Sequence, residues 1–376
     1  VLQQIQNCQA AEEGSVAVLC ADNHLGYSMP IGGVIAYEGL ISPSAVGYDI
    51  ACGNCAVRTD AQASEVNVSS LMDDLWKSLA FGVGRKNAEK VDHPILEEIA
   101  SCDFGFQRNL AQMAAQQLGT IGSGNHYVDL FKDNEGYLWV GVHFGSRGFG
   151  HKTATWALEQ AGTKDDSMMA PPVVIPIASE LGQRYIDGME RAGRYAYAGR
   201  DWVVDFVVSR IGAKALDRIH NHHNFAWRET HGGRDVWVHR KGATPAFPGQ
   251  RGFVGGTMGD DAVILEGVDS PESAEALFST VHGAGRVLSR TQAAGKRNRK
   301  TGEILKPGLV DFDAVKERVR GQGIELRGAG ADEAPECYKK LSDVLKYHRD
   351  TVRILHTLRP IGVAMAGKDT FDPFKD

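Results

Sequence analysis

Apolar residues recur along this chain in two rhythms, and the alternation between them predicts its elements. Residues 16–60 read as short strands and turns: VAVLC, then GGVIAYEGLI, then a loop around Asp49. Residues 93–118 carry helical spacing, with Ile95 and Ile99 followed by Leu110, Met113 and Leu118. GTIGSGNH (119–126) ends that helix, and YVDLF with YLWVGVHFG reads as a strand pair. Residues 151–162 return to helix. The segment GTKDDSMMAPPVVIP (162–176) has three prolines and is the stretch expected to be a mobile loop. Residues 178–223 read as two long helices interrupted near Gly199. VWVHRKGA and AVILEG follow as strands, STVHGAGRVLSRTQA (279–293) as a turn entering a helix, and 341–357 as a last helical stretch before RPIGVAMAG. Without an internal repeat, a low-complexity linker or a sharp shift in composition, the expectation is one α+β domain over residues 1–376, with central sheets flanked by helices.

Composition narrows the function classes. The chain has 376 residues, enough to bury a core without covalent staples. Its 43% hydrophobic and 23% charged residues are those of an ordinary globular protein. Six scattered cysteines (Cys8, Cys20, Cys52, Cys55, Cys102, Cys337) point to a reducing, cytoplasmic setting rather than a disulfide scaffold. No apolar run approaches the ~20 residues of a membrane helix, and no signal-peptide pattern follows Val1. A net charge of −6 excludes a basic coat for nucleic acid, so any such partner must meet a local patch. The candidate patch is Arg286, Arg290, Lys296, Arg297, Arg299 and Lys300, whose hold on a phosphate backbone would weaken with salt.

Candidate chemistry gathers at histidines in five settings, four of them beside glycines. They are His24 in ADNHLG, His126 in GSGNH, His143 in HFGSRG, His222 and His223 in NHHN, and His282 in VHGAGR. One histidine beside a glycine is ordinarily a turn residue. Several of them, joined by Asp49 and Cys52 of VGYDIACGN, make a ligand set that can bind divalent transition metals. CGNC (52–55) also admits a redox reading, the weaker one because it leads into a β-like stretch. VHGAGR reads as the start of a helix, where small residues leave room for phosphate, amides and Arg286 meet its oxygens, and His282 serves as base or nucleophile. RGFVGGTMGDD (251–261) is a second glycine-rich turn whose amides could face an anion.

In their order, DIACG, GSGNH, HFGSRG, HHN, RKGA, GTMG, HGAGR, DEAPECYK and a late LRP resemble the RtcB-type RNA ligases, GTP- and manganese-dependent enzymes, over nearly the whole chain. The resemblance implies joining of RNA 3′-phosphate or 2′,3′-cyclic-phosphate ends to 5′-hydroxyl ends, in tRNA splicing or RNA repair, with an accessory activator as a possible partner and no membrane. It implies GMP transfer from GTP to His282. It places one manganese on Asp49, Cys52 and His126 and a second on Cys52, His143 and His223. GTP contacts carried over are Asn125, His126, Tyr127, Val128, Asp129, His223, Asn224, Gly255, Gly256, Thr257, Met258, His282, Gly283, Ala284 and Gly285, with Tyr127 and Tyr338 on either side of the guanine.

The chain departs from the family pattern in four places. Asp129 stands for a glutamate, Thr257 for a serine and Ala262 for a second serine. Met365 falls where the family's terminal lysine reaches the base, leaving Lys368 or Lys375 as substitutes. The chain is also shorter than typical members. Thiolate and imidazole ligands favour zinc or cobalt by intrinsic affinity, so zinc is expected to bind tightly and inhibit, with manganese implied only by the family. Two other classes compete: a dinuclear RNA-end phosphatase or phosphodiesterase, which has no need of HGAGR, and a non-catalytic RNA-binding or redox-sensing protein.

Overall fold

A computed structural model describes residues 1–163, 167–297 and 304–367. Its centre is an eight-stranded sheet. Along the main path the order is Arg251–Val254, Ala262–Gly267, Val352–Met365, Tyr127–Lys132, Tyr137–Phe144, Gly53–Gln62, Ala215–His222, with Glu325–Gly328 paired in parallel to Val352–Met365. The two ends of this path nearly close on each other. Asn221 Oδ1 accepts from Phe253 N–H at 3.2 Å, and Asn54 Nδ2 donates to Phe253 O at 2.9 Å. A second, four-stranded sheet orders Val16–His24, Ile31–Tyr37, Arg234–Lys241 and Asn224–His231. The turn at His223 passes the chain from one sheet to the other, so the two meet at NHHN.

The expected α+β class, with central sheets flanked by helices, is what the chain forms. YLWVGVHF is buried almost throughout because the strand lies mid-sheet with both faces covered. The helical stretch 93–118 is instead three short helices, Pro94–Ser101, Gly105–Arg108 and Ala111–Gln117. The helix expected over 151–162 spans Arg147–Gln160.

Two expectations are corrected. Residues 178–223 are not two helices: a single helix runs Glu180–Ile211 straight through Gly199, and the rest is strand. Ser179 caps its start by accepting from Gly182 N–H, and Gly212, in the left-handed region at φ 74°, ends it. Gly199 breaks nothing; a Cβ there would meet Gly119 and Phe144 at 3.4 Å, so the helix packs closely on the strand carrying His143. Residues 341–357 form only a short helix, Leu341–Leu345, before the strand Val352–Met365, because sheet pairing on both sides outweighs local propensity. The loop after Gly162 is stitched down where it is described. Met168 O accepts from Ser28 N–H at 3.2 Å, Ser42 Oγ donates to Val173 O at 2.7 Å, and Ile175–Pro176 pairs with Leu40–Ile41. Among the described residues no helix is long and apolar enough to cross a membrane.

One buried histidine makes the fold acid-sensitive. His239 is fully buried, accepts from Ser42 N–H at Nε2 (2.9 Å) and faces Trp237 O at Nδ1 (3.0 Å), a pattern only the neutral ring satisfies. Burial pulls its pKa down to about 4. Between the free-histidine value near 6.5 and about 4 the unfolded chain therefore binds a proton that the folded chain refuses. Stability should fall as pH drops through this window, by on the order of 3 kcal/mol from this group at its lower end. Denaturant titrations at stepped pH check it: His239→Gln should flatten the acid slope, and an unchanged slope refutes the assignment.

Candidate metal and nucleotide site

The turn VGYDIACGN lies between a short helix, Pro43–Val46, and the strand Gly53–Gln62. Ala51 sits in the left-handed region at φ 60°, a strained setting for an alanine directly before Cys52. The turn is braced from several sides. Ala51 N–H donates to Asn224 O at 2.7 Å, His223 N–H to Cys52 O at 2.8 Å, and Ser146 Oγ to Ile50 O at 2.5 Å. Gly145 must be glycine, because a Cβ there would collide with the Asp49 carboxylate. Strand pairing sets Gly53 opposite both Phe144 and His222, so Cys52, His143 and His223 arrive together from three neighbouring segments.

Five side chains converge there. Cys52 Sγ lies 3.3 Å from His143 Nε2 and 3.6 Å from His126 Nε2. His143 Nε2 lies 3.3 Å from His223 Nε2, and His126 Nε2 lies 3.1 Å from Asp49 Oδ2. Two groups could hold a metal ion, Asp49–Cys52–His126 and Cys52–His143–His223, each with ligand atoms within 4.8 Å of one another, and they share the sulfur. The chemistry of the donors fits cations. His143 gives its Nδ1 proton to Asn125 O (3.0 Å), which leaves its Nε2 as a bare lone pair, while His126 Nδ1 lies between Ile121 O (3.1 Å) and Arg147 Nη1 (3.2 Å). The His143 lone pair faces the Cys52 sulfur and His223 Nε2, the form in which an imidazole binds a metal ion. His223 Nδ1, buried, has no partner.

Electrostatics around the sulfur run in both directions. Burial and the Asp49 carboxylate push the Cys52 thiol well up, with Arg200 and Arg147 pulling against them. Burial also raises Asp49, but the hydrogen bond and charge of His126 and the charge of Arg147 outweigh it and hold that carboxyl well below the ordinary range. His143 and His223 are held neutral, first by burial and then by neighbouring imidazoles.

His282 stands beside this cluster, its ring centroid 5.0 Å from that of His223. It is partly exposed, and its Nδ1 is 2.7 Å from Oδ2 of Asp22, which is fully buried. The same oxygen accepts from the backbone N–H of His282 (3.0 Å) and of Gly283 (3.4 Å). Nδ1 therefore carries the proton and Nε2 is the free nitrogen. The loop is not a helix start: HGAGR joins strand Ser279–Val281 to a helix that begins only at Arg290, so an anion there would meet amides without a helix dipole.

The carried-over nucleotide residues divide. Asn125, His126 and Tyr127 border the cluster, and Gly283 follows His282 with its N–H on Asp22. Val128 is buried in a strand paired on both sides. Asn224 is spent on the protein, its Nδ2 donating to Asp49 O (3.3 Å) and its Oδ1 accepting from Gly242 N–H (2.7 Å). In the turn Gly255–Met258, Thr257 Oγ1 donates to Asp260 Oδ2 at 2.7 Å, so its hydroxyl is already committed. Met258 is buried, and Ala262 opens a strand. Asp129 is buried with Oδ1 unpartnered, and burial pushes its carboxyl well up against the pull of a hydrogen bond from the Ala364 backbone. The Tyr127 hydroxyl is likewise buried and unpartnered. Tyr127 pairs in register with Met365, so the last described strand ends beside it, while Lys368 and Lys375 lie outside the described residues. Tyr338 packs on the same apolar cluster as Tyr127.

Two residues of the basic run are engaged within the protein. Arg286 donates to the Tyr338 hydroxyl at 2.6 Å and pairs with Glu333 at 3.4 Å, and Arg290 pairs with Glu333 and, at 3.3 Å, with Asp332. DEAPECYK thus pins HGAGR in place, and Arg286 is not aimed at a phosphate. Lys296 is exposed; the Arg297 side chain, Arg299 and Lys300 lie outside the described residues. The two cysteines of CGNC are not bonded to each other. All six cysteines are free, and Cys55 is buried in the strand after the turn, its thiol pushed up to about 12 by burial.

Sequence reasoning missed Asp22, Arg147 and Arg200. Asp22 could have been found, because it lies two residues before His24 in one strand and alternation puts such residues on one face. Arg147 sits in the left-handed region at φ 55° with Nη1 3.2 Å from His126 Nδ1. No local pattern singles it out.

A nearly closed sheet that presents two metal-ligand sets around one thiolate, beside an imidazole held by a buried carboxylate, defines a candidate dinuclear metalloenzyme with a nucleophilic histidine. The family model described as tRNA-splicing ligase RtcB matches residues 4–107 and 100–366. A Thermococcus kodakarensis tRNA-splicing ligase RtcB is 31% identical, covering 93% of this chain and 87% of that protein. The Archaeoglobus fulgidus protein of the same name is 30% identical over the same shares, and the Escherichia coli RNA-splicing ligase RtcB is 29% identical over 90% and 87%. This chain belongs to the RtcB family.

Proposed function

We propose that this chain is a GTP- and manganese-dependent RNA ligase that joins 3′-phosphate or 2′,3′-cyclic-phosphate ends to 5′-hydroxyl ends. Family membership supports the activity class. The single observation that carries the mechanism is His282, tied through Nδ1 to Asp22 and placed against His223 of the shared-sulfur cluster. With Nδ1–H held by the carboxylate, Nε2 is the nucleophile. It attacks the α-phosphorus of GTP and releases pyrophosphate, leaving GMP on the ring; Asp22 offsets the charge that develops on the imidazole. The GMP then passes to the RNA 3′-phosphate, and the 5′-hydroxyl attacks that phosphate and expels GMP. A cyclic end must first be opened by water. Asp49, Cys52 and His126 would hold one manganese, and Cys52, His143 and His223 the other; bound there, the ions supply Lewis-acid stabilisation of phosphate oxygens.

The base would lie between Tyr127 and Tyr338, with the unpartnered Oδ1 of Asp129 as a polar contact. The hydrolase alternative requires no His–Asp pair of this kind. Substrate ends in tRNA splicing or RNA repair fit the relatives' names, and six unpaired cysteines support a reducing, cytoplasmic setting.

Intact-mass measurement after incubation with manganese and GTP, ATP or buffer tests the reading. GTP should add one GMP per chain, acid-labile and alkali-stable, and ATP should add none. A His282→Ala protein that still gained GMP would sink it.

A further inference from the structure

Arg200 is fully buried in the long helix, and its guanidinium reaches three separate segments. Nη1 donates to Ala51 O at 2.9 Å and to Phe144 O at 2.5 Å, and Nη2 donates to His222 Nδ1 at 2.9 Å. Those three residues are the chain neighbours of Cys52, His143 and His223. One planar fork thus holds the residue next to every ligand of the second metal set, while touching none of the ligand atoms itself. Arginine suits this task because its five N–H groups are fixed relative to one another, whereas a lysine ammonium on a flexible stem cannot hold three acceptors in a set geometry.

The fourth contact fixes the fork. Arg200 Nε donates to His220 Nε2 at 2.8 Å, and His220 Nδ1 lies 3.4 Å from Asp201 Oδ1. Cys55, Asp201 and His220 have the residue types of a third metal group. The proton count argues against that use. Arginine only donates, so His220 Nε2 must be the acceptor and Nδ1 must carry the hydrogen, directed at Asp201. Neither ring nitrogen is then open to a cation. Asp201 is also paired with Arg218.

We infer that Arg200 is a positioning residue that sets the geometry of the Cys52–His143–His223 ligand set, held in place by the Asp201–His220 pair, which binds no metal of its own. This rests on the two-metal reading above. It gives the unassigned Asp201, His220 and Cys55 group a role: an outer bracket behind the metal turns, with Cys55 filling the space beneath it.

Cobalt(II) titration of the full chain tests it by affinity, by stoichiometry and by the thiolate-to-cobalt absorption. The wild type should take up two equivalents. Arg200→Lys should weaken the second set by about 10–100-fold, the usual cost of losing an outer-shell partner, and shift the thiolate band without restoring it. His220→Gln, which leaves the Nη contacts in place, should weaken it by up to about 10-fold and decides the matter if Arg200→Lys does not fold. Both variants folded, with wild-type affinity and spectrum, would overturn the inference. A third cobalt equivalent in the wild type that vanishes in His220→Gln would overturn it as well, in favour of a third metal site. Wild-type protein that takes up no cobalt would remove the two-metal reading itself, and this inference with it.

Discussion

Replacing Cys52 with serine should disable both metal sets in one step. The sulfur belongs to each of them, and its removal leaves two ligands apiece, Asp49 with His126 and His143 with His223. The loss of metal affinity should exceed the ~10–100-fold typical of an outer-shell change, and GMP transfer to His282 should become undetectable. His126→Ala is the control, because it damages only the set that contains Asp49. Metal analysis after gel filtration, paired with the intact-mass assay, reads both effects. A serine variant that kept two ions and guanylylated normally would show that the sulfur is not shared.

The same thiol sets the pH dependence of loading. In the metal-free protein, burial and Asp49 push it well up, so an entering cation must displace a proton. Apparent affinity should therefore climb with pH, and isothermal titrations in buffers of different ionisation heat should show proton release. Zinc should bind more tightly than manganese through this sulfur and these imidazoles and should inhibit ligation. Full ligation on zinc would refute that expectation.

The second large effect belongs to Asp22. Asp22→Ala should slow single-turnover guanylylation by roughly 10²–10⁴-fold, the range associated with a positioned acid–base partner. Its carboxyl would be raised by burial, but the charge and hydrogen bonds of His282, with the charge of His24, hold it below the ordinary value. It is therefore ionised beside the ring, fixes the Nδ1–H tautomer and counters the positive charge that develops as Nε2 attacks. Asp22→Asn should fall between wild type and alanine, because an amide oxygen can still accept from the ring and from the two backbone N–H groups yet carries no charge. GTP affinity, measured separately, should change little. An alanine variant guanylylating at the wild-type rate would remove Asp22 from the mechanism.

How far the site could be read from the sequence differs between its parts. The candidate ligands Asp49, Cys52, His126, His143 and His223 were legible because most stand in glycine-rich motifs, and because their motifs follow one order. Asn224 and Thr257 illustrate the limit. Their motifs place them at the nucleotide, yet their polar atoms are satisfied by Asp49, Gly242 and Asp260. Arg286 and Arg290 read as a basic face and prove to be internal clamps on Glu333.

Residue type and local spacing were enough to determine the α+β class, the strands YVDLF and YLWVGVHF, the absence of a long apolar run, and which chemistry-bearing turns exist. These properties depend on side chains close together in the chain, where periodicity and turn chemistry act. Only the tertiary structure decided that the helix continues through Gly199, that residues after 351 form a sheet strand, that Asp22 holds His282, and that Arg200 braces three ligand turns. Each of those depends on a partner far away in sequence: Phe144 for Gly199, the paired strands for Val352–Met365, a carboxylate 260 residues distant for His282, and the carbonyls of Ala51 and Phe144 for Arg200. Packing and buried hydrogen bonds between distant segments set these outcomes, and local pattern carries no record of them.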